Sequence, residues 1–221
     1  FLNDSESGVK LILIPAGTFD MGSNNGGSDE KRGQRDLRDQ RDSNNGGSDE
    51  KPVDRVEVKA FLMSETEVTV GQYRKCVEAG RCSEPDTDNS YCTWGGSDDH
   101  PINCVDWGQA RTFAVWVGGD LPTEAQWEYA ARGGQSYKYA GSNDADEVAW
   151  YDSNASSTKA VKTKKANGYG LYDMSGNVYE WTLDEWHDNY RGAPSRAEKP
   201  WGHVGKCRQR CDSGSSGRVD R

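Results

Sequence analysis

The chain has 221 residues, enough for one domain with a full hydrophobic core, and its 33% hydrophobic residues with 26 glycines exclude a wholly disordered polypeptide. Its net charge of −9 repels phosphate backbones and disfavours non-specific nucleic-acid binding. The longest strongly apolar run, Leu11–Ile14, is ended by Pro15 and falls far short of the about 20 residues that a membrane-spanning helix needs. Phe1 carries neither an initiator methionine nor a signal-peptide pattern, which reads as a chain that starts inside a longer product.

Val9–Phe19 reads as a strand and Arg55–Val58 as a second with alternating faces. Between them Ser23–Lys31 (SNNGGSDEK) recurs unchanged as Ser43–Lys51, so residues 23–51 form a duplicated polar segment. The unit has no apolar residue on which copies could stack, so it reads as one surface loop expanded by tandem duplication. Arg32–Lys51 holds five basic and five acidic residues and has no net charge to steer a partner. Three helices share one start signal, a capping box at Thr69/Gln72, Asp106/Gln109 and Thr123/Gln126. Their expected apolar faces are Val70/Tyr73/Val77, Ala110/Ala114/Val117 and Trp127/Ala130/Ala131, with stops at Gly80, Gly118-Gly119 and Gly133. Beyond Gly133 there are only short apolar pieces between turn residues. Short helices in turn-rich chain indicate an α+β class.

Cys76, Cys82, Cys92 and Cys104 lie in one short, helix-poor region and are expected to form two disulfides, which implies an oxidising compartment such as a periplasm or cell surface. Zinc is the rival, but Cys76/Cys82 and Cys92/Cys104 are spaced too widely for its usual ligand pairs. Cys207 and Cys211 differ from these. The arginines between them favour thiolate and make a redox or metal pair conceivable beside the simpler reading of an incidental pair. His100, His187 and His203 are scattered and read as surface histidines. Trp181, Trp186, Tyr190 and Trp201 are divided between core and a ligand-facing surface.

Several segments together resemble the formylglycine-generating enzyme, or sulfatase-modifying factor, family. They are Ile14–Phe19 with Met21-Gly22, Glu67-Val68-Thr69, His100–Trp107, Leu121–Gly133 and Asn167–Trp181, in order along the chain. The resemblance implies a C-type-lectin-like α+β fold over the single domain 1–221, with a cysteine-bearing insert of the kind found in bacterial members. It also implies a structural calcium site on the Asp173 side chain, the backbone oxygens of Gly176 and Val178, and Glu180, a set of oxygens that suits calcium. A second family site begins near Asn154, without its other ligands. In the family a strand reading Arg-Val-x-Arg is followed by Gly-Gly-Ser and a catalytic cysteine pair. The chain reads Arg218–Arg221 at that point, so catalytic residues are expected beyond Arg221 and none of the six cysteines takes that role. Copper is then implied only with that missing pair, and absent C-terminal strands are expected to leave a sheet edge and core unfilled. Two functions follow. One is an oxidase that converts a cysteine of a sulfatase client to formylglycine. The other is a non-catalytic ligand- or protein-binding module, including the hypervariable display type, on the same fold, as a monomer or appended domain.

Overall fold

The computed structural model describes residues 2–23, 50–202 and 218–220. Most of the duplicated segment, together with Cys207, Cys211 and His203, lies outside the described residues.

The run Val9–Phe19 is not one strand. Pro15 has no N–H for a ladder and ends β2 (Lys10–Ile14), and the chain restarts as β3 (Gly17–Met21) in a different sheet. β2 is the middle strand of an antiparallel sheet between β1 (Leu2–Asn3) and β5 (Phe61–Ser64). β3 pairs with β4 (Asp54–Val58) from Gly17↔Val58 to Met21↔Asp54. The period-two pattern puts Phe19 and Met21 of β3, and Val56 and Val58 of β4, on one buried face. β6 (Trp181–Glu185) pairs with β7 (Arg218–Asp220) across an irregular register.

All three capping boxes form, and each starts a helix at the expected place: α1 (Val70–Glu78), α2 (Trp107–Trp116) and α3 (Glu124–Arg132). In α3, Thr123 Oγ1 accepts from the Gln126 N–H at 3.1 Å while the Gln126 side chain accepts from the Thr123 N–H at 2.9 Å. The helix stops at Gly133, whose φ of 58° is the left-handed cap that a Cβ disfavours. A fourth helix, the single turn α4 (Ala145–Val148), was not visible in the sequence because four residues carry no period.

Two apolar clusters hold these elements. The first sets α3, through Trp127, Ala130 and Ala131, against Ile12, Ile14, Phe19, Val56 and Val58, with Leu171 and Met174 closing it. The second joins Val9, Val70, Tyr73, Cys76, Cys82, Ile102 and Phe113. Tyr190 is buried in the first cluster with its hydroxyl donating to Glu124 at 2.6 Å, so it belongs to the core and not to a binding surface. Trp186 stays exposed, and Trp181 and Trp201 are half-buried.

Asp184, buried on β6, accepts the Glu124 N–H at 2.5 Å and the Trp201 N–H at 2.7 Å, tying the start of α3 to two other segments. Burial, with help from the charge of Glu124 and against the two N–H donors, pushes its carboxyl up to about 6. The native state therefore holds this proton more tightly than the unfolded chain. The stability contributed by this group is complete below about pH 4 and is lost as pH rises through 6, a change of about 3 kcal/mol. Urea unfolding of wild type and Asp184→Asn between pH 4 and 7 is expected to show a steeper fall in wild type than in the variant, which keeps the raised carboxyls of Glu67, Asp173 and Glu180. Parallel curves would refute the assignment.

Candidate functional site

The segment Asn167–Glu180 is a turn built by its own polar side chains. Buried Asn167 donates to the carbonyls of Ala130 and Ala131, at 2.8 and 3.1 Å, and accepts from the N–H groups of Tyr169 and Leu171. That locks the turn onto the end of α3. Asp173 and Asn177 take φ values of 58° and 63°, a conformation that Asp and Asn tolerate better than most residues. At Gly176, φ is 86° and a Cβ would run into the Trp150 carbonyl oxygen, so only glycine fits.

Three carboxylates gather around this turn. Asp173 is buried and accepts the Lys162 N–H at 2.7 Å. Half-buried Glu180 accepts the Trp127 indole N–H at 3.2 Å. Glu67, buried just before the α1 cap, accepts from Asn177 Nδ2 at 2.7 Å and from the Val178 N–H at 3.0 Å. Burial raises the affinity of all three for protons. Glu180 is pushed up to about 8 by burial and then by the charge of Asp173, and Glu67 well above the ordinary range by burial and then by Glu180 and Asp173. Neighbouring carboxylates that repel in this way favour a shared cation. Among the described residues no three Asp, Glu, His or Cys side chains form a ready metal cluster. A metal on this turn must draw on main-chain oxygens such as those of Gly176 and Val178.

Glu67 was not marked as a site residue, although Glu67-Val68-Thr69 stands among the motifs. Its signal was an acidic side chain placed directly before a capping box and an apolar helix face. Asn154 has other work: its side chain accepts the Tyr151 N–H at 2.9 Å and donates to Asp146 and Ala149. Those contacts close its own turn and do not include Asp173 or Glu180.

The four cysteines pair as Cys76–Cys82 and Cys92–Cys104, and no free cysteine is found among the described residues. The two described histidines are both half-exposed. His100 bonds Thr158 at 3.1 Å, and His187 stacks on Trp201 with ring centroids 3.7 Å apart.

Glu67, Val178 and Glu180 also line a groove of about 470 Å³, walled by β5, by α2 and by the first residues of β6. This accounts for the α2 face. Ala110, Ala114 and Val117 are half-exposed on the groove, and Phe113 alone of the helix is buried.

The sequence model of the sulfatase-modifying factor enzyme 1-like domain matches residues 3–219. The chain belongs to this family. Among its sulfatase-modifying-factor relatives, the formylglycine-generating enzyme of Streptomyces coelicolor is 36% identical over 111 residues, covering 43% of this chain and 35% of the enzyme. A serine/threonine-protein kinase, pkn1 of Chlamydia pneumoniae, is 32% identical over 213 residues, which is 88% of this chain and 31% of the kinase. Among solved structures, PvdO from Pseudomonas aeruginosa superposes with a TM-score of 0.71 at 27% identity, covering 93% of this chain and 81% of that one. The α+β fold of this family is thereby shown. The chain spans about a third of the length of the first curated relatives it matches.

Proposed function

We propose that this chain is a calcium-braced module of the sulfatase-modifying factor family that binds a polypeptide partner. The observation that carries the reading is the groove itself, an apolar channel with one wall formed by the carboxylate-bearing turn. Asp173 and Glu180, with the backbone oxygens of Gly176 and Val178, fit calcium: hard oxygen donors on one rigid turn, with carboxylates that repel until a cation arrives. Bound there, calcium supplies positive charge that neutralises the turn. Trp127 orients Glu180, and Asn177 and the Val178 N–H hold Glu67 in place. Copper does not fit the described residues, since their cysteines are paired and their histidines engaged elsewhere. The two disulfides support an oxidising compartment, periplasmic or extracellular. No helix among the described residues is long and apolar enough to cross a membrane.

The matches to formylglycine-generating enzymes favour a second reading, in which the chain is part of an oxidase that modifies a sulfatase cysteine. One preparation separates the two. Removing calcium with EGTA is expected to lower Tm, with return on adding calcium in excess; calcium at 100 times its Kd stabilises by about 2.7 kcal/mol. The same protein, supplied with Cu(I) and a cysteine-containing sulfatase peptide, is expected to leave the peptide mass unchanged. A Tm indifferent to calcium removes the ion from this account, and formylglycine in the peptide replaces the binding reading with the oxidase.

A further inference from the structure

Lys162 stands in a backbone conformation that lysine seldom takes. Its φ is 64°, in the left-handed region where a Cβ is disfavoured and only glycine, asparagine and aspartate settle easily. In that conformation its N–H donates to Asp173 Oδ2 at 2.7 Å, which leaves Oδ1 to a cation. The lysine side chain reaches back to the same turn. Its Nζ donates to Glu65 Oε2 at 2.9 Å and lies 5.0 Å from the ring centre of Tyr172, the residue before Asp173. Glu65 is a firm anchor. Its N–H donates to the Lys10 carbonyl at 2.8 Å, its carbonyl accepts the Tyr172 N–H at 3.0 Å, and its Oε1 accepts from Lys10 Nζ at 2.5 Å.

The chain before Lys162 is fixed by main-chain contacts. Asn177 brackets Lys159, accepting its N–H at 3.0 Å and donating to its carbonyl at 3.2 Å, and the Val161 N–H donates to the Asp99 carbonyl at 2.9 Å. What remains to be set is residue 162 itself, and its side chain makes the contacts that set it. An ion pair with a 42% exposed lysine contributes little alone, but here one ammonium touches both Glu65 and Tyr172, and both are joined to the turn. We propose that Lys162 is a positioning residue of the calcium turn: its ammonium, clamped on Glu65 and Tyr172, holds residue 162 left-handed so that its N–H fixes the Asp173 carboxylate for the cation. This rests on the calcium reading and names a residue outside the ligand set on which that site depends. With the clamp removed, fewer molecules hold Asp173 in place, and the apparent Kd rises by that fraction.

The test measures calcium affinity of the full chain, by competition with a chromophoric chelator, for wild type, Lys162→Ala and Lys162→Gly. The two variants lose the same charge and the same contacts. They differ only in the Cβ that resists a left-handed backbone, so their comparison isolates conformation from electrostatics. Lys162→Ala is expected to bind calcium about tenfold more weakly than wild type. Lys162→Gly is expected to stay within about threefold of it. Glu65→Gln should weaken binding when Lys162 is present and change nothing further in the glycine variant. Without calcium, amide hydrogen exchange at residue 162 should be slow in wild type and Lys162→Gly and fast in Lys162→Ala. A lysine that serves stability alone would lower Tm on replacement and leave the affinities alike. The proposal fails if the alanine and glycine variants bind calcium equally, or if Glu65→Gln acts the same in both backgrounds; calcium binding by wild type then leaves the calcium-braced module standing. Wild type that binds no calcium overturns both.

Discussion

Loss of both disulfides is expected to destabilise the native state by about 5 kcal/mol, a large part of the 5–15 kcal/mol typical of a domain. Cys76–Cys82 closes a separation of 6 residues and Cys92–Cys104 one of 12. The chain-entropy account assigns these about 2 and about 3 kcal/mol. Cys76 and Cys82 are also buried beside Val70, Tyr73 and Ile102, so their replacement disturbs the second cluster directly. Cys92 and Cys104 brace the irregular chain between α1 and α2, where Asn103 and Thr93 already exchange hydrogen bonds of 2.7 to 3.1 Å. The measurement is urea unfolding with and without a phosphine reductant, beside the Cys92→Ser/Cys104→Ser double variant. The double variant should lose the larger share, and the reduced wild type more. An unchanged midpoint with the thiols demonstrably free to alkylation would show that packing alone holds this region.

Trp127→Ala carries the second largest expected effect, about 4 kcal/mol, for a large buried ring removed from the centre of the first cluster. Trp127 does two things, packing α3 on the sheets and donating its indole N–H to Glu180. Trp127→Phe separates them, since it keeps most of the ring and deletes the donor. Its loss should be about 1–2 kcal/mol, while calcium affinity falls through a Glu180 side chain that nothing positions. Chemical denaturation and calcium titration of both variants check this. Equal losses from the two, with unchanged calcium binding, would show that the indole N–H does not serve the turn.

Signals that are local and chemically specific were legible in the sequence. Each capping box needs only two side chains three residues apart, and all three start helices. The cysteine region was readable as a disulfide framework, although spacing alone left the connectivity open. The cut at Pro15 was missed because the hydrophobic pattern runs on through it, and β2 and β3 can be told apart only by the partners they find. The α2 stripe pointed correctly to an apolar face, but periodicity says that a face wants cover and not what covers it. Glu67 escaped notice for a related reason. Its role comes from Asn177 and Val178, more than a hundred residues away, and no local pattern encodes a meeting of that kind.

The last rung of the β3–β4 ladder, Met21↔Asp54, has a consequence for how this chain can be altered. The two strands register over five residues and share a buried face, so their pairing does not depend on the length of chain that links them. Closing a connection grows only with the logarithm of its length, so an internal copy of about 20 residues adds less than about 1 kcal/mol. The connection between β3 and β4 thus acts as a splice port. Epitope tags, protease sites or a reporter peptide inserted between the two copies of SNNGGSDEK should leave the melting curve almost where it was, and the natural doubling is an insertion of that kind already made.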